Sequence, residues 1–108
     1  MSTNRLSLHE VLCGIMGEER ERQVYFQPPE TIRMTYPAIV YERYDFDKIY
    51  ADNSSYHTTP AYQITVIDPD PDSEIVEAVK DLPMCTFDRH FAAENLNHDV
   101  FTIYYNEV

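Results

Sequence analysis

Residues 61–83, AYQITVIDPDPDSEIVEAVKDLP, pass from one hydrophobic period to another within a few positions. Tyr62, Ile64 and Val66 alternate with Gln63, Thr65 and Ile67, the period of two that marks a strand. Pro69 and Pro71 interrupt it after Asp68, because proline cannot donate to a strand ladder. Beyond them Ile75, Val79 and Leu82 recur at helical spacing, with Val76 and Ala78 beside them and Pro83 as the stop. Asp70 is expected to cap this helix, with Pro71 in the first helical position, where a missing amide hydrogen costs nothing.

Toward the N-terminus, Ser7-Leu8-His9-Glu10 reads as a capping box, with Leu6 and Val11 as a hydrophobic staple across it. Leu8, Val11, Leu12 and Ile15 form one apolar face and Gly17 ends it, which predicts a helix over residues 8–16 after a polar lead-in of residues 1–5. Gln23-Val24-Tyr25-Phe26 predicts a short strand closed by Pro28-Pro29. Residues 36–44 predict a longer strand, apolar on both faces at Ala38-Ile39-Val40-Tyr41, with Pro37 confined to its beginning or to a sheet edge. Residues 45–60 collect Asp, Asn, Ser and Thr without a period and are expected to form a long loop. Residues 84–91 and 100–105 predict two final strands joined by a polar, turn-like stretch over residues 92–99. The order helix, strand, strand, strand, helix, strand, strand implies an α+β fold of two layers. It has a mostly antiparallel or mixed sheet of four to five strands and two helices on one face, as a single domain over residues 1–108.

Charge restricts the partners. Acidic residues number 19 and basic residues 8, a formal charge of −11 that opposes phosphate backbones and anionic lipid. The one tight basic pair, Arg20 and Arg22, stands among Glu18, Glu19 and Glu21. No apolar run approaches the length of a membrane span, and the first residues lack the pattern of a signal peptide. The chain is therefore expected to stay in the reducing compartment where it is made, with Cys13 and Cys85 as reduced, buried thiols.

The motifs that carry chemistry are incomplete. Asp68, Asp70 and Asp72 match the first, third and fifth positions of a calcium loop, but Ser73 replaces its glycine and Val79 its bidentate glutamate. His9, His57, His90 and His98 form neither HxxxH nor HExxH. Asp88 and His90, two apart on a strand, are expected to share a face as a surface polar pair. With glycine only at positions 14 and 17, no phosphate-cradling loop can be built. The expectation is a protein with no catalytic residues, no cofactor and no metal: a binding protein and not an enzyme. The abundant feature is tyrosine, nine in all and no tryptophan, a side chain suited to interfaces because a large apolar ring carries a polar tip. Tyr44, Tyr50 and Tyr56 cluster around the long loop and are the candidate interface residues.

Several segments taken together resemble a known family. LHEVLC at residues 8–13, VYFQPP at 24–29, YPAIVY at 36–41, AYQITVIDPDPDS at 61–73, FDRH at 87–90 and NLNHDVF at 95–101 are similar, in this order, to small tail-completion or tail-terminator proteins of long-tailed bacteriophages. That resemblance implies a non-enzymatic virion protein, assembled in the bacterial cytoplasm. It also implies a homo-oligomeric ring, commonly hexameric, at the head-proximal end of the tail tube, with the tail-tube protein and a head-completion or connector protein as partners. An acidic ring lumen would let DNA pass without gripping it. The alternative from another class is a small acidic phage regulatory or inhibitor protein that imitates DNA, although the acids here are scattered and not arrayed in a block. Both readings predict that the purified protein fails to retard duplex DNA in a gel shift at low salt, where attraction is strongest. A shift that fades as salt is raised would reveal a basic face and remove both.

Overall fold

The computed structural model describes residues 4–18, 23–29, 32–48 and 58–104. Its elements are α1 (Asn4–Met16), β1 (Val24–Phe26), β2 (Ala38–Lys48), β3 (Thr58–Asp68), α2 (Glu74–Lys80), β4 (Cys85–Ala93) and β5 (Leu96–Tyr104). The strands form one five-stranded mixed sheet in the order β1-β2-β3-β5-β4, with β1 parallel to β2 and the other neighbours antiparallel. The fold is α+β, as the sequence of periods predicts.

One face of the sheet supplies the core. Ile39 and Tyr41 of β2 lie beside Val66 and Ile64 of β3, and Ile64 and Tyr62 lie beside Phe101 and Ile103 of β5. Leu8, Leu12 and Met16, spaced by four, bring one stripe of α1 onto this surface, and Ile75 and Val79 bring α2. The open face carries Val40, Gln63, Thr65 and Thr102, all half-buried.

Helix α1 begins a turn earlier than its expected cap, so residues 4 and 5 belong to it and Ser7 lies inside the helix. Nothing in Asn4-Arg5-Leu6 breaks a helix, and the Arg5 guanidinium lies 4.7 Å from the centroid of the Phe26 ring, which holds the added turn against β1. Leu6, the expected staple, is exposed, while Gly17 ends the helix at φ +89°, its amide donating to Cys13 O at 3.0 Å.

The second cap is also displaced. Ser73 and not Asp70 caps α2, its Oγ accepting from Ile75 N at 3.2 Å. Asp70 lies too far ahead of the helix and instead accepts from Asp72 N at 2.9 Å, while Asp68 Oδ1 accepts from Asp70 N at 2.8 Å. These successive side-chain turns commit Pro71 and Asp72 to the loop, so the helix starts only at Glu74.

Two predicted connections shorten. Of the loop expected over residues 45–60, residues 45–48 belong to β2 and residues 58–60 to β3, while residues 49–57 lie outside the described residues. Asp47 pairs with Thr59 and Lys48 with Thr58 after a register shift beyond Tyr44. A ribbon of backbone hydrogen bonds needs no apolar alternation, so this stretch carries no strand period. Likewise residues 92–99 are mostly strand: Glu94 and Asn95 alone make the turn, at φ +52° and +66°, a two-residue hairpin of the primed kind. Without glycine in that pair, and with polar Asn97, His98 and Asp99 opening β5, the hairpin left little signal.

The core makes a direct prediction. Ile64→Ala, at a position with no exposure in the central strand, is expected to lower stability by about 3 kcal/mol in urea unfolding. Met84→Ala, 69% exposed, should change it by less than about 0.5 kcal/mol.

Candidate functional site

Strand β4 forms one edge of the sheet, is nine residues long, and is exposed at every position from Thr86 onward, with Cys85 alone half-buried. An edge of this length presents unpaired amides and carbonyls that another strand can use. Three large apolar side chains accompany it into solvent: Met84 at 69% exposure, Phe87 at 50% and Phe91 at 43%. Phe87 meets buried Phe101 edge-on with ring centroids 5.5 Å apart, and Phe91 stacks on His98 at 4.6 Å and 11°. Phe87 therefore rests on the core side of the sheet and Phe91 on the open side.

Between β4 and α2 runs a cleft of about 420 Å³ lined by Val76, Lys80, Phe87, Asp99 and Phe101, among others. Burial pushes the Asp99 carboxyl above its ordinary range and the carboxylate of Asp68 adds to this, while His90 and His98 pull the other way. A lining that mixes apolar Val76, Phe87 and Phe101 with charged Asp72, Glu77, Lys80 and Asp99 suits a partner's amphipathic side chain. We take the β4 edge and this cleft as the candidate site.

The residues singled out in the sequence fare unevenly. Tyr44 pairs with Ala61 at the last position before the β2–β3 register shift. Tyr50 and Tyr56 lie outside the described residues. Two other tyrosines are core residues: Tyr41 with no exposure and Tyr62 at 3%, their rings 6.3 Å apart. The Tyr41 hydroxyl meets His9 Nδ1 at 2.7 Å, joining α1 to β2. Burial, and after it the Arg5 charge, lowers the His9 pKa and so favours the neutral imidazole.

Asp88 and His90 do not pair. The register shifts between Phe87 and Arg89, so simple alternation fails there. Asp88 instead meets Arg89 Nη1 at 2.7 Å, and His90 Nε2 faces Asn97 Oδ1 at 3.3 Å. The carboxylates of Asp68 and Asp70 are spent on backbone amides of their own turn. Among the described residues no three His, Cys, Asp or Glu side chains converge as metal ligands would. Among the same residues no helix is long and apolar enough to cross a membrane.

Sequence reasoning placed a strand over residues 84–91 but did not identify it as a sheet edge. Its run FDRHF was legible as a strand, and a strand with three charged or imidazole side chains between two phenylalanines is a sign of an edge. No family model matches this chain, and no curated protein matches it.

Cys13 and Cys85 are half-buried where full burial was expected. Burial pushes the Cys85 thiol up from an ordinary 9 to about 11, which leaves little thiolate near neutrality. In a Cys13→Ser background, alkylation of Cys85 at pH 8 should run roughly ten-fold slower in the native protein than in denaturant. Equal rates would mean that the thiol is not shielded.

Proposed function

We propose that this chain is a non-enzymatic assembly subunit of a long-tailed phage tail, of the tail-completion or tail-terminator kind. In this reading it joins the tail tube to the head connector as a homo-oligomeric ring. The observation that carries the reading is the β4 edge, an exposed strand with Met84, Phe87 and Phe91 beside it and a cleft behind it. A surface of this kind serves association with another protein, by main-chain pairing for affinity and side-chain pockets for specificity. The segments that resemble the phage proteins supply the class, and they run through α1, every strand and the turn into α2. The charge of −11 supports a subunit past which DNA travels without being held.

A second reading, a small acidic inhibitor that imitates DNA, draws support from a different feature. Glu18, Asp70, Asp72 and Glu74 line a cleft between the end of α1 and the start of α2, where Glu18 joins the acidic run of residues 70–74. Such an inhibitor would capture a DNA-binding protein and release it when duplex DNA competes.

The readings separate in native mass measurements with the tail-tube protein. Phe87→Ser with Phe91→Ser should lower stability only modestly, since each ring is about half exposed, and weaken the complex of the still-folded protein at least ten-fold, because buried aromatic anchors dominate interfaces. Tyr50→Ala with Tyr56→Ala tests the loop in the same way. If wild-type protein shows no complex with tube or connector protein, the tail-assembly reading fails. If the tyrosine pair alone abolishes it, the mating surface is the loop and not β4.

A further inference from the structure

The irregularity in β4 gives this strand a register for pairing with itself. Phe87 lies opposite Phe101 and Arg89 opposite Val100, so Asp88 is an additional residue and the alternation of side chains slips by one. Cys85, Phe87, His90 and Ala92 consequently share the side of the sheet that the helices cover, while Thr86, Arg89 and Phe91 share the open side.

We infer that β4 pairs antiparallel with β4 of a second copy of this chain, about a two-fold axis that passes between Asp88 and Arg89. Residues opposite one another on antiparallel strands point to the same face. In a regular strand a two-fold self-pairing must therefore be centred on a residue, which here would set Asp88 against Asp88 or Arg89 against Arg89. The bulge removes that requirement. Centred between the two charges, the pairing places each Asp88 opposite Arg89 of the second copy, two attractive pairs where the other centring gives repulsion. Phe87 then faces His90 of the second copy, both on the helix side, and Thr86 faces Phe91, both on the open side. Cys85 faces Ala92, so the small side chains at the end of the seam meet each other. Asp88 and Arg89 are about half exposed in the single chain, at 43% and 56% of their side chains, and are open to such exchange.

The sheet would continue from one copy into the next, and the long edge would cease to be an edge. Because the contact is isologous it closes at two copies and cannot propagate. This inference concerns the free chain and does not rest on the tail-assembly reading; a second copy and a tube protein would compete for this one edge.

Sedimentation equilibrium of the full chain tests it. Wild-type protein should show a monomer–dimer equilibrium. Asp88→Arg and Arg89→Asp should each weaken it roughly ten-fold, and the double exchange should restore it. A wild-type protein that is monomeric at the highest concentrations reached, or single variants that dimerise unchanged, overturns the inference. Cysteine placement tests the register without altering charge. In a Cys13→Ser background, Ala92→Cys should give a covalent dimer on mild oxidation, because opposed Cα atoms about 4.5–5.5 Å apart suit a disulfide to Cys85 of the second copy. Ala93→Cys, on the other side of the sheet, should not. Equal cross-linking by both would overturn the register. A dimer that ignores the tube protein sinks the tail-assembly reading alone, and tube binding by a strictly monomeric chain sinks this inference alone.

Discussion

The two helices are too short to cover the five-stranded sheet, and the rest of the molecule follows from that shortfall. α1 spans 13 residues and α2 seven, and their apolar stripes meet the core face at Ile39, Tyr41, Tyr62, Ile64, Val66, Phe101 and Ile103. β5 is sealed on its core side only in its second half, and β4 is left outside. Hydrophobic burial therefore fixes β2 and β3 firmly and leaves one edge of the sheet to be completed by something else. Phe87 shows the boundary: its ring leans on Phe101, which is fully buried, yet half of Phe87 stays in water.

The polar groups of the molecule divide along the same line. On the covered side they are few and specifically partnered, as in the contact of His9 with Tyr41 beneath Arg5 and the use of Asp68 and Ser73 to hold the turn into α2. These contacts set the seating of α1 on β2 and the starting point of α2. A buried polar atom without a partner would cost more than the contact gains, and no described buried side chain is left in that condition. At the β4 edge the charges are exposed. The Asp88–Arg89 pair contributes little to the stability of the single chain at such exposure, so its value lies in what it can specify for a neighbour.

The bulge in β4 connects the two halves of this picture. Bulges on edge strands commonly blunt them against indiscriminate pairing. Here the same irregularity also selects one register of self-pairing over its neighbours, because it changes which residues share a face. A device against aggregation and a device for recognition can thus reside in one extra residue, Asp88. The open side of the sheet, with Phe91 stacked on His98, remains the surface on which tertiary contacts say least about a partner.

The periods of the chain by themselves determined the number and order of elements, the two apolar helical stripes, and the core face of β3, because burial against one layer requires those spacings. Pro37 before β2 and Pro28-Pro29 after β1 were equally legible, since proline has no amide to give a ladder. Caps and connections were not: Ser7 for α1 and Asp70 for α2 each satisfy a cap pattern locally, and only the anchoring of Arg5 on Phe26 and the two Asp turns decided that neither serves. The candidate tyrosines followed from composition, which cannot tell Tyr41 and Tyr62, drawn into the core, from a tyrosine on the surface. The polar run inside FDRHF hints at an edge strand, but only the sheet order established it. A strand's own residues state that it is a strand, but whether it has one neighbour or two depends on pairings with residues distant in sequence, and tertiary structure alone decides those.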